Sequence, residues 1–162
     1  MKFFEWLEVT DYSAWVRESA GWPIALTLHA FGNAIVVGLI VIICLRLMGL
    51  FRSVPYTSLN RLIPVIWIGF IIQVVSGLTL WSSKPDRYLS DFLFDTKFTF
   101  VILGAVLTHF FQGILRQEAP AWQAAGKVSE RGRQMVVYTT FAWFGVLIFG
   151  RLTAYLGTLY MQ

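Results

Sequence analysis

The chain has 162 residues, of which 57% are apolar and only 14% charged, with a net charge of +4 and a mean hydropathy of +0.64. Soluble domains carry about 25% charged residues, so this composition excludes an ordinary water-soluble domain and describes a membrane protein. The single cysteine, Cys44, excludes a disulfide within this chain and a cysteine metal cage; it lies in an apolar run and reads as an inert packing thiol.

The first twenty residues, MKFFEWLEVTDYSAWVRESA, carry Glu5, Glu8, Asp11 and Glu18, which departs from the basic-then-apolar order of a signal peptide. Phe3, Phe4 and Leu7 share one helical face, with Trp6 and Trp15 nearby. That pattern predicts an interfacial amphipathic segment over residues 1–21, with a solvated, frayed terminus as the plainer alternative.

Four apolar runs follow, roughly residues 24–47, 62–81, 97–115 and 135–160. Each approaches or exceeds the roughly 20 residues that a membrane-spanning helix needs. Their continuous apolarity excludes the alternation of a membrane barrel. Backbone amides in lipid must pair within their own segment, so each run is expected to be a helix. Pro64 falls in the first turn of the second span, where it removes no backbone bond. Short connections make sequential helices antiparallel neighbours. The expected fold is all-α, a polytopic four-helix transmembrane bundle over residues 22–162.

Lysine and arginine counts suggest an orientation. Lys2, Arg17, Lys84, Arg87 and Lys97 lie on the amino-terminal side, against Arg46, Arg52, Arg61, Arg116, Lys127, Arg131 and Arg133 on the other. Both termini are therefore expected outside, in the periplasm, with two basic loops in the cytoplasm facing anionic lipid. The loops carry no nucleic-acid recognition motif, so the basic balance does not point to nucleic acid.

Ionisable groups inside spans are functional candidates by default. His29, His109 and Arg151 lie within spans, and Lys97 opens the third. At 1.5 Å per residue, His29 and Arg151 fall about 8 and 14 Å below the outer edge, and Gln73 and Ser76 fall about 8–12 Å below it. Asn33 lies one turn from His29 and Tyr155 one turn from Arg151. These residues predict one polar layer in the outer half, with Arg151 facing the bundle interior. His109 falls about 18 Å from the outer edge, so His29 and His109 are not expected to share one small ligand. Gly32, Gly38, Gly69, Gly77, Gly104, Ala105, Gly145 and Gly150 offer close helix contacts, with room for a macrocycle or quinone as the alternative.

The stretches LHAFG…LRLMGL, WIGFIIQVVSGLTLW, DTKFTF…LTHF and GRLTAY resemble an uncharacterised family of small four-helix bacterial inner-membrane proteins, from about Trp22 to Tyr155. That family supplies no established activity. A more distant resemblance runs to the J-type membrane protoporphyrinogen oxidases, which share a histidine early in the first span, a lysine opening a later span and a histidine further along it. This resemblance implies His29, Lys97 and His109 as functional positions and haem b or a related tetrapyrrole as ligand; the acidic amino-terminal segment departs from the pattern.

Three functions remain as expectations. The first is a haem-b or porphyrin protein, redox enzyme or electron carrier, with His29 and His109 as candidate metal ligands and Lys97 and Arg151 pairing with propionates. Asn33, Gln73, Ser76 and Tyr155 would complete its cofactor site. The second is a porphyrin- or quinone-linked oxidase using the same pocket. The third is a non-catalytic subunit, in a homo-oligomer or larger membrane complex, whose polar residues join helices. Hydrolase and nucleotide-binding motifs are missing, and no acid lies within the four expected spans.

Overall fold

The computed structural model describes residues 6–83, Pro85 and 92–159. Phe3 and Phe4 of the expected amphipathic face lie outside the described residues, as do Lys2, Lys84 and Arg87 of the charge count. The described chain is helical, and four of its helices are long and apolar enough to cross a membrane. In chain order the elements are α1 (Asp11–Glu18), α2 (Gly21–Leu47), a 3-10 helix (Tyr56–Arg61), α3 (Ile63–Ser82), α4 (Phe92–Ala125) and α5 (Glu130–Leu159). Helices α2 to α5 correspond to the four expected spans.

Helix α1 starts at Thr10, whose hydroxyl accepts from the Ser13 backbone N–H, as N-cap residues do. It docks on the carboxyl end of α3 through three bonds. Ser13 Oγ donates to the Ser82 carbonyl at 2.8 Å, Arg17 donates to the Ser83 carbonyl at 3.0 Å, and the Tyr12 hydroxyl meets Thr79 Oγ1 at 2.8 Å. The last carbonyls of a helix lack intrahelical partners and carry its negative dipole end, so a serine and an arginine suit them. Val16 is fully buried beneath this contact. Trp6, Tyr12 and Trp15 remain half exposed, as rings at a membrane interface do.

The two tightest helix pairs are α2 with α3 and α4 with α5, and α2 also lies against α5. A Cβ on Gly32 would stand 2.8 Å from both Gly69 O and Gln73 N, so the α2 and α3 backbones cross there. In the second pair Gly104 lies under the Trp143 ring, whose Nε1 donates to Thr108 Oγ1 at 3.0 Å. Between α3 and α4 the contact is made by side chains: Trp67 Nε1 donates to Gln112 Oε1 at 2.9 Å. The shared core runs from Val36, Ile40 and Ile43 through Ile63 and Ile66 to Phe111, Leu115 and Trp143.

Two spans differ from the expected limits. Helix α4 has 34 residues and continues past Leu115 to Ala125, through Pro120. The extra turns hold because Ala119 and Trp122 are buried, with Trp122 edge-on to Tyr56 and over Gly132. Gly126, at φ +64°, ends it in the left-handed conformation that helix C-termini favour. Ser129 then caps α5 by accepting from Gly132 N at 3.0 Å, so α5 begins five residues before the expected start. At the same end Arg46 is buried: its Nε donates to Val54 O, and its guanidinium stands 3.8 Å from the Tyr56 ring centre, a cation–π contact.

Candidate functional site

Antiparallel neighbours bring the start of α2, the end of α3, the start of α4 and the end of α5 to one level. His29 lies between them. Its Nδ1 is 3.1 Å from the Gln73 carbonyl and 3.2 Å from Ser76 Oγ. The Ser76 hydroxyl itself donates to Ile72 O at 2.6 Å, which leaves its oxygen to accept. A carbonyl only accepts, so Nδ1 carries the ring proton and Nε2 keeps a lone pair. That Nε2 stands 3.5 Å from Lys97 Nζ. Gly77 makes room for the ring, since a Cβ there would lie 3.2 Å from His29 Cε1. Gly150 does the same for the Lys97 stem, which runs across α5 to reach α2.

Beside His29 a cleft of about 850 Å³ opens between α2 and α5, within the roughly 300–1,000 Å³ of ordinary ligand sites. Its polar groups come from His29, Asn33, Lys97 and Arg151; Phe31, Val37 and Leu147 supply apolar wall. Ala30, Ala34 and Gly38 form a small-residue stripe along α2. This stripe packs against no helix at Gly38, where a Cβ would meet nothing within 4 Å. Leu26 and Phe31 are half or more exposed, so the cleft opens sideways, toward where lipid would lie.

The eight residues singled out from the sequence separate into three groups. His29, Lys97, Asn33 and Arg151 line the cleft. Gln73 and Ser76 are each 3% exposed and sit behind the imidazole, not in the cleft, because the Gly32–Gly69 crossing presses α3 onto the rear of His29. They orient the ring and do not line a ligand surface. His109 is exposed on the outer face of α4, against Phe110, and lies twelve residues along from Lys97, about 18 Å; the structure does not bring the two histidines together. Tyr155 is 65% exposed and lies outside the cleft lining. Arg151 also departs from expectation: it forms the cleft wall with an exposed side chain, since the α5 face toward the interior is taken by Trp143 and Val146.

Three side-chain atoms of this layer, Asn33 Oδ1 and both amide atoms of Gln73, are buried without a hydrogen-bond partner. Each such atom costs about 1–3 kcal/mol; of the two residues only Asn33 lines the cleft, so a polar guest there could reach Asn33 Oδ1 and not the Gln73 amide. No group of three or more histidine, cysteine or acidic side chains gathers among the described residues, and His29 is the one such side chain among the residues lining the cleft. Gly38, Gly77 and Gly150 stood out in the sequence, but a glycine by itself does not separate a helix contact from room for a ligand. The spacing of Ala30, Ala34 and Gly38 was visible in the sequence, but it reads equally as a helix contact. No protein-family model, curated protein or solved structure matches the chain.

Proposed function

We propose that this membrane protein binds a tetrapyrrole, haem b or a porphyrin, in the cleft between α2 and α5, as a small bacterial inner-membrane carrier or redox protein. One observation carries the reading: His29 Nδ1 is held by a carbonyl and a hydroxyl while Nε2 is directed to a roomy cleft beside two cations. Histidines that ligate metals are oriented in this way through their other ring nitrogen. His29 would supply the iron ligand, and Lys97 and Arg151 would face propionates. The bound iron would supply one-electron chemistry. The chain's own part is to orient the imidazole, neutralise the acid groups and keep water off the apolar face.

A second reading has its own support. The same Nδ1 bonds join α2 to α3, so His29 could serve packing within a larger membrane assembly; such bonds are worth about 0.6 kcal/mol in a membrane. Absorption spectra of the full chain in mild detergent separate the two. A Soret band that shifts on dithionite reduction, is lost in His29→Ala and persists in His109→Ala is the expected result. A colourless parent after reconstitution with haem, or equal loss in both variants, overturns the assignment to His29.

A further inference from the structure

The imidazole offered to the cleft is covered by Lys97, and the cover is weak. At 3.5 Å the contact lies at the outer limit of hydrogen bonding, and its acceptor is a neutral ring nitrogen. Among the described residues neither Lys97 nor Arg151 has a carboxylate partner, and no Asp or Glu lines the cleft. Lys97 thus has only a neutral acceptor, and Arg151 stands without an acceptor among the described residues, in a cleft otherwise walled by Leu26, Phe31, Val37 and Leu147. Such a cleft complements an acid group carried on an apolar body.

We propose that the cleft takes membrane-borne amphiphiles by a carboxylate, and that this carboxylate draws Lys97 off His29, so that anion capture uncovers Nε2. The proposal deepens the tetrapyrrole reading and rests on it only in treating the cleft as a ligand site. The bond from the ammonium to a neutral imidazole has one charged partner, whereas a carboxylate adds the Coulomb attraction of an opposite charge, and a low dielectric widens the difference. An acid therefore outcompetes the imidazole for Lys97, whereas an ester or a neutral quinone meets a covered ring. Once uncovered, Nε2 is free to ligate a metal, so acid recognition and metal coordination reinforce each other reciprocally. A carboxylate on an apolar body is shared by tetrapyrroles and fatty acids.

The chain contains only two histidines, so ¹⁵N-histidine labelling of the full chain in an uncharged maltoside detergent gives two imidazoles, assigned with His109→Gln. Laurate should move the His29 Nε2 resonance toward its position in Lys97→Met and leave that variant unmoved, and methyl laurate should do nothing. Gly38→Trp, which puts an indole into the apolar end of the cleft and keeps both cations, should weaken the response. Metal-free protoporphyrin and its dimethyl ester identify the source. A response to the porphyrin diacid at tenfold lower concentration than laurate assigns the site to a tetrapyrrole acid, and the reverse assigns it to a lipid acid. The proposal is overturned if neither acid shifts His29, or if Lys97→Met responds as the parent does. A laurate response without any Soret band removes the haem reading alone; a haem spectrum without an acid response removes the uncovering step alone.

Discussion

Gly32 and Gly38 stand six residues apart on α2 and meet opposite surroundings. At Gly32 an added Cβ would lie 2.8 Å from backbone atoms of α3, which have no rotamer with which to yield. At Gly38 it would meet nothing. Gly32→Ala should therefore push α2 from α3 and destabilise the bundle by about 1–3 kcal/mol, the usual cost of overpacking. Gly38→Ala should be neutral or stabilising by up to about 1 kcal/mol through helix propensity. Unfolding in mixed detergent micelles measures both, and equal effects would contradict the close α2–α3 crossing. Gly32→Ala should also disturb His29, because the Gln73 carbonyl that holds the ring belongs to the same crossing.

Helix α1 holds the bundle's end by bonds to carbonyls that α3 cannot satisfy itself. Ser13, fully buried, donates toward both Leu7 O and Ser82 O. Ser13→Ala leaves a buried carbonyl short of a donor, at about 1–3 kcal/mol, and Arg17→Ala removes the cation from the α3 dipole. Each substitution should raise hydrogen exchange in α1 with little change in α4. Uniform acceleration in both helices would show that α1 is not a separately held cap. The existence of α2 to α5 was legible from apolar length alone, but their limits were not. Residues 116–125 are polar enough to end a hydropathy run, and it is the burial of Ala119 and Trp122 that extends the helix. Gly126 and Ser129 carried stop and start signals in the sequence, which apolar counting passes over. Depth was likewise countable, which put His29, Gln73 and Ser76 in one layer. Which neighbour each helix faces was not countable, and the outward placement of His109 and the reach of Lys97 to His29 both depend on it.

At the scale of the whole molecule, the cleft, α1 and the α3 end share one side, while the 3-10 helix and the α4–α5 turn occupy the other. Three of the charges counted for orientation are engaged by the protein itself, Lys97 toward His29, Arg46 on Tyr56 and Arg17 on the Glu8 and Ser83 carbonyls. In the sequence count Lys2, Lys84 and Arg87, which lie outside the described residues, then remain for the amino-terminal side, against Arg52, Arg61, Arg116, Lys127, Arg131 and Arg133 for the other. The bias keeps its sign, and it predicts a cleft opening into the outer leaflet with both loops in the cytoplasm. Ser53 and Lys127 are exposed and make no hydrogen bond or ion pair among the described residues, whereas Ser129 caps a helix and is a poorer site for a label. In a Cys44→Ala background, Ser53→Cys and Lys127→Cys should resist a membrane-impermeant maleimide in intact cells and react once the membrane is opened. Ser19→Cys, at the exposed end of α1, should react from outside. The opposite pattern would turn the molecule over, place the His29 cleft in the cytoplasmic leaflet, and require the proposed acid ligand to arrive from the cytoplasmic side.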